Sequence, residues 1–128
     1  MAYNVFTIEE IAEMAVDTRL ELINRSVDMR LLAILHKQHF PLHQIRDILP
    51  QILQDFPQNN STIATSYLQF IMGGDVTRGQ YEHHPHFYLT LPRNVIVDIT
   101  ADQFGGPEVF VGKIRSPWQD MIGRKGNC

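Results

Sequence analysis

The 128-residue sequence contains one cysteine, Cys128, which is its last residue. An internal disulfide framework is therefore excluded. No apolar run reaches the roughly 20 residues that a membrane-spanning helix needs. The first ten residues, MAYNVFTIEE, have neither the basic segment nor the apolar segment of a secretory signal peptide. We therefore expect a cytoplasmic protein with no membrane contact, although secretion by a route without a signal peptide would leave no trace in the sequence.

The sequence also has little excess charge of either sign. Its formal net charge is -3 at pH 7 and its pI is about 6.0, so no basic field favours binding to nucleic acid. With 44% hydrophobic and 20% charged residues, the composition is typical of a soluble globular domain of ordinary size. We expect a single domain over residues 1–128 without a cofactor. The sequence does not determine the oligomeric state.

Helical patterns occupy the first 56 residues. Thr7 and Glu10 form a capping box, which predicts a helix that continues to about Asn24. A second helix is predicted from about Ser26 to His36. A third apolar stripe crosses Pro50, where we expect a kink or a break, and its members are Leu42, Ile45, Leu49, Ile52, Leu53 and Phe56.

A fourth helix is predicted over Ser61–Met72, because two glycines follow it and an apolar face runs along it. We expect its inward residues to be Ala64, Tyr67, Leu68 and Ile71. The polar segment that follows, Asp75–Pro85, is predicted to be a loop or a short irregular strand.

Strand patterns dominate the rest of the chain. Residues 86–106, HFYLTLPRNVIVDITADQFGG, alternate apolar and polar side chains around a Pro-containing turn, which predicts an antiparallel hairpin. A short third strand is predicted over Pro107–Gly112, then a turn at Pro117 and a frayed tail over 123–128. The order predicts an α+β fold in which N-terminal helices (1–56) pack on one side of a C-terminal antiparallel sheet (57–122, with the fourth helix).

His86 and Asp98 are the most informative polar residues of the hairpin. Asp98 lies in the apolar run VIVDI, and a carboxylate is costly to bury there unless it has a partner. His86 opens the neighbouring strand, so we predict an imidazole–carboxylate hydrogen bond. Such a pair can act as a base and the group that orients it. Asp102 and Gln103 are expected to position the loop after the second strand.

The His86 strand together with the VDITADQF segment resembles small bacterial domains of the papain-like and transglutaminase-like cysteine-enzyme group. The likeness spans roughly Phe56–Trp118 and implies a Cys-His-Asp triad whose nucleophile lies at the start of a helix. His86 and Asp98 match the second and third members. Ser61 occupies the nucleophile position, and the implied activity is hydrolysis or acyl transfer at a peptide or protein amide.

Ser61 is the main departure from that pattern. Three explanations are open: an engineered cysteine-to-serine change, a natural Ser-His-Asp hydrolase, and a site that has lost its chemistry but kept the fold for binding a protein partner. The residues around it, Asn59, Asn60, Thr62 and Ile63, also differ from the glycines and acidic residue typical of related domains. Outside the resemblance, a serine at this place is an ordinary helix N-cap.

Two further hypotheses belong to other classes of protein. The histidines of His83-His84-Pro85-His86 could ligate zinc or nickel. However, residues this close around a proline rarely converge on one ion, so we expect no metal site. The helical residues 1–56 could instead form the surface of a partner-binding protein.

Overall fold

The computed structural model describes residues 6–120, and within that range no helix is long and apolar enough to span a membrane. The predicted tail and Cys128 lie outside the described residues. Within residues 6–120, four α-helices precede a five-stranded antiparallel sheet, so the α+β prediction is confirmed. The elements are α1 (Ile8–Ile23), α2 (Met29–His39), α3 (Leu49–Gln54), α4 (Ser61–Met72), β1 (Asp75–Tyr81), β2 (His84–Leu91), β3 (Val95–Asp98), β4 (Phe110–Lys113) and β5 (Trp118–Asp120).

N-terminal caps fix where the first two helices begin. The predicted capping box of α1 is present, with the Glu10 N–H bonded to Thr7 Oγ1 and the Thr7 N–H bonded to Glu10 Oε1. The α2 cap is Asp28, whose carboxylate accepts from two backbone N–H groups of the first turn. Because Asp28 satisfies these otherwise unpaired donors, α2 begins three residues later than predicted and continues to His39.

The helical pattern predicted from Leu42 to Phe56, with a kink or break at Leu49, is right about the break and wrong about the residues before it, which are not helical. Only α3 is helical there, and Pro50 lies in its first turn, where a missing N–H costs no helical hydrogen bond. Leu49 and Leu53 are buried, as expected, while Ile52 and Phe56 are partly buried. Leu42 is 90% exposed, because the chain before α3 turns instead of continuing the helix.

Helix α4 has the predicted bounds and supplies much of the core. Ala64, Tyr67 and Leu68 are buried as expected, but Ile71 is 36% exposed. Ile63 and Met72 are buried instead, so the buried face is rotated slightly from the predicted one. This face packs against the apolar side of the sheet, which includes Leu89, Leu91, Val97 and Ile99.

The sheet has the strand order β4-β3-β2-β1-β5. The polar segment Asp75–Pro85, predicted to be a loop or a short irregular strand, forms the seven-residue strand β1. It is held on both sides, by β2 and by β5, so pairing with neighbours overrides its weak strand pattern. The third predicted strand is shifted to Phe110–Lys113, and Trp118 lies in β5, directly after the predicted turn.

The second face of the sheet carries an aromatic cluster instead of helices. Tyr81, Tyr88, Ile96, Ala101 and Trp118 are its buried members. The rings of Phe110 on β4 and Trp118 on β5 are stacked with centroids 4.3 Å apart. Since β4 and β5 are the two edge strands, this contact shows that the sheet curls around the aromatic cluster.

Candidate active site

The structure brings His86 and Asp98 together as predicted. The Nε2 atom of His86 lies 2.7 Å from Oδ2 of Asp98. His86 is two residues from Tyr88, so both lie on the aromatic face of the curled sheet. The two residues thus form one hydrogen-bonded pair inside the curl, as the cost of burying an isolated carboxylate requires.

The Asp98 carboxylate is satisfied by several donors. The indole Nε1 of Trp118 donates to Oδ2 at 2.8 Å, and the backbone N–H of Thr100 donates to Oδ1 at 2.9 Å. These bonds replace the water that burial removes, and they fix the plane of the carboxylate. Sequence analysis missed Trp118 as a partner. The available signal was that a buried indole N–H needs an acceptor.

His86 is enclosed by aromatic rings, and its side chain has 0% relative exposure. The rings of Phe104 and Tyr81 meet it edge-on, with centroids 5.2 and 6.4 Å away. Within residues 6–120, the buried Nδ1 atom of His86 has no hydrogen-bond partner. When Nε2 donates its proton to Asp98, Nδ1 carries the free lone pair and is the atom that could accept a proton.

Ser61 is the first residue of α4 and is half-buried. Helix α4 ends next to the start of β1, and β1 runs back beside it to Tyr81. The start of α4 therefore lies at the end of the sheet that holds His86. In the described part of the chain, no hydrogen bond joins Ser61 to His86 or Asp98, because α4 packs on the opposite face of the sheet.

The loop before α4 and the loop after β3 are in contact. The backbone N–H of Asn59 donates to Oε1 of Gln103 at 3.3 Å, so Gln103 binds a backbone group of a neighbouring loop and not of its own turn. Phe104, the next residue, packs against the His86 ring. This short chain of contacts connects the segment before Ser61 to the imidazole.

Arg19 anchors the loop after β3 from the helical side. Its guanidinium binds both carboxylate oxygens of Asp102 at 2.9 and 2.7 Å, and it donates to the Ile99 carbonyl at 2.7 Å. It also lies over the Phe56 ring, 5.1 Å from the centroid. Asp102 thus has the expected positioning role, but its partner was not predicted because 83 residues separate the two.

A second imidazole lies beside the residue that follows Ser61. The Nε2 atom of His36 is 3.0 Å from Oγ1 of Thr62. Burial, together with the neighbouring His43 and His39, lowers the pKa of His36 to about 4. His36 is therefore neutral at pH 7. Its buried Nδ1 has no partner in the described range, so, in contrast to His86, no carboxylate orients this ring.

The histidine-rich segment does not converge on one point. His84 stacks on Phe104 with centroids 4.5 Å apart, whereas His86 is bonded to Asp98. Between residues 6 and 120, no three His, Cys, Asp or Glu side chains are arranged to hold a metal ion.

Comparison of the chain with protein-family models, with curated proteins and with solved structures gives no match.

Proposed function

We propose that this protein carries a papain-like or transglutaminase-like site for hydrolysis or acyl transfer at an amide. Ser61 occupies the nucleophile position, His86 is the base and Asp98 orients the imidazole. The observation that supports this proposal is the bond between His86 Nε2 and Asp98 Oδ2, which leaves Nδ1 buried and without a partner among the described residues. Within residues 6–120, the buried His36 also has an unpaired Nδ1, so what sets His86 apart is the carboxylate that holds its other ring nitrogen.

The proposed reaction begins when Ser61 Oγ transfers its proton to Nδ1 of His86 and attacks the amide carbonyl carbon. The tetrahedral intermediate collapses as the imidazolium protonates the leaving amine, and an ester on Ser61 remains. Water, or a second amine, then displaces the serine by the reverse proton transfers. Asp98 stabilises the imidazolium in both halves of the reaction.

The start of α4 is suited to hold the oxyanion of the intermediate. The side-chain nitrogen of Asn60 donates to the Ile52 and Gln58 carbonyls, at 3.0 and 2.7 Å. Asn60 therefore does not cap the helix, and no other side chain among residues 6–120 does. The first-turn N–H groups remain available to a developing negative charge.

We expect the activity to be weak or absent with serine at position 61. Serine is a poorer nucleophile than cysteine and depends fully on its base. For the proton to move, Ser61 Oγ and His86 Nδ1 must come within hydrogen-bond distance. Because α4 packs on the face of the sheet opposite to His86, this requires the start of α4 or the loop after β3 to move.

A second function is favoured by the enclosure of His86. An imidazole with no exposed side-chain surface, and without a bond to Ser61, is in the arrangement expected of a catalytically inactive site. In that case the protein is a binding or interaction module on the same fold, and the His86–Asp98 pair serves stability alone.

Introducing a thiol at position 61 separates the two functions. In a Cys128→Ser background, Ser61→Cys should be alkylated quickly by iodoacetamide at about pH 6, because the helix end and the imidazolium favour the thiolate. Substituting His86→Ala, or His86→Gln to retain a donor to Asp98, should remove that advantage.

The matched control is Ile8→Cys, a thiol on the exposed first residue of α1, where no imidazole bond is present. Both positions are the first residue of an α-helix, so the helix end acts on both thiols. Without an imidazole, Ile8→Cys should react more slowly at about pH 6 than Ser61→Cys. Equal rates for the two thiols, unchanged by His86→Gln, would reject the catalytic proposal and support the binding module.

A further inference from the structure

A separate cavity of about 320 Å³ lies between α2 and the segment that precedes α3. One wall consists of α2 side chains at helical spacing, Arg30, Ala33, Ile34 and Lys37. The opposite wall is formed by residues 43–46. None of these residues belongs to the proposed Ser61–His86–Asp98 site.

Three cations line this cavity: Arg30, Lys37 and Arg46. Within residues 6–120 none of them has a salt bridge or a side-chain hydrogen bond, and no carboxylate lines the cavity. In a chain with a net charge of -3, this is a local concentration of unpaired positive charge. A concave wall of one sign raises the local concentration of ions of the opposite sign.

The cavity also has an apolar part. Ala33, Ile34 and Ile45 lie among the cations, and Ile34 is among the exposed large hydrophobic residues. Small-molecule sites typically combine such apolar walls with a few converging polar groups, in cavities of about 300–1,000 Å³. An inorganic ion alone would leave this apolar surface exposed to water.

We propose that this cavity binds a small organic phosphate, with the phosphate among Arg30, Lys37 and Arg46 and the organic part against Ile34 and Ile45. A phosphate dianion matches three cations better than a single carboxylate does. The planar guanidinium fork also pairs with phosphate oxygens two at a time. The size of the cavity fits a small molecule and not a folded segment of a partner.

The NMR signals of the His43 ring should change when a ligand binds in the cavity. His43 lines the cavity, and its ring lies 5.5 Å from the His36 ring. An anion beside His43 should therefore shift the ring resonances of both histidines. The other side of the His36 ring contacts Thr62, the residue next to Ser61, at 3.0 Å.

The test is an NMR titration with phenyl phosphate, inorganic phosphate and benzoate at constant ionic strength. Phenyl phosphate should give saturable shifts in residues 30–46 and should bind about tenfold or more tightly than benzoate. Inorganic phosphate should shift the same residues with lower affinity. Equal affinity for phenyl phosphate and benzoate would overturn the phosphate assignment, and the absence of saturable shifts would overturn the site itself.

Matched variants test whether the cations act directly. Lys37→Gln, Arg30→Gln and Arg46→Gln should each weaken phenyl phosphate binding about tenfold, the effect of losing one charge-assisted hydrogen bond. The control is Lys113→Gln on the exposed end of β4, away from the cavity, which should change the affinity less than twofold. If Lys113→Gln weakened binding as much as Lys37→Gln, the attraction would be a general charge effect and the proposal would fail.

Discussion

His86 and Asp98 form a buried pair in which one carboxylate oxygen, Oδ2, accepts from both the imidazole at 2.7 Å and the Trp118 indole at 2.8 Å. The other oxygen accepts from the backbone of Thr100. Because the carboxylate is held from three directions, the imidazole can keep one orientation. The proposed function depends on that orientation, since it leaves Nδ1 as the only ring nitrogen free to take a proton.

Removing the carboxylate should be costly for stability. Asp98→Ala leaves the donors of His86, Trp118 and Thr100 buried without an acceptor, so we expect a loss of about 3 kcal/mol or more. Asp47→Ala, at an exposed position, is the control and should change stability by less than about 0.5 kcal/mol. Urea unfolding of both variants measures the difference. A loss for Asp98→Ala as small as that of the control would mean that water replaces the carboxylate.

Helix α3 provides a test of the core with an internal control. Leu53 is buried and Leu42 is 90% exposed, although both belong to the same apolar stripe in the sequence. Leu53→Ala should therefore cost about 2–5 kcal/mol, while Leu42→Ala should have almost no effect. Similar losses for the two variants, measured by thermal or urea unfolding, would contradict the finding that the helix begins at Leu49 and leaves Leu42 outside the core.

The lowered pKa of His36 should be measurable as a pH dependence of the protein's stability. Its pKa is lowered from 6.5 to about 4 in the folded protein, so the unfolded chain binds more protons between these values. Stability should therefore fall as the pH falls from about 6.5 to 4, and be independent of this group above that window.

Between pH 6.5 and 4, the free energy of unfolding should fall by an amount on the order of 2 kcal/mol because of His36. This figure allows for solvent screening of the exposed His43. In His36→Gln the corresponding part of the pH dependence should disappear. It should remain in His83→Gln, a substitution at an exposed histidine outside this cluster. An unchanged pH profile in His36→Gln would show that the buried ring is not responsible.

The parts of the fold that the sequence predicted well are those with local signals. The capping box at Thr7 defined the start of α1, and the glycines after Met72 defined the end of α4. The polar residues of β1 predicted only a loop or a short irregular strand, because the pairing on both sides that holds β1 in the sheet is not visible in its own sequence. The apolar stripe from Leu42 predicted helix in residues that are not helical, because hydrophobic periodicity does not show where the chain turns.

The contacts of the candidate site likewise fall into those that the sequence predicted and those that it did not. The cost of burying Asp98 was enough to predict a partner, and His86 was the nearest candidate in an adjoining strand. Trp118 and Arg19 depend on the curl of the sheet and on the packing of α1 against the loop after β3. A buried indole N–H or guanidinium signals that it needs an acceptor, but nothing local in the sequence says which residue supplies it. The roles of Ser61, His86 and Asp98 in chemistry stay predictions.

The most direct test of the proposed site is the pKa of a thiol at position 61. In Ser61→Cys with Cys128→Ser, the alkylation rate measured from pH 4 to 9 should give a pKa well below the ~8.5 of a free cysteine. Adding Asp98→Asn, which weakens the hold on His86, should move that pKa back toward the ordinary value. A pKa near ~8.5 with both Asp98 and His86 in place would contradict the account.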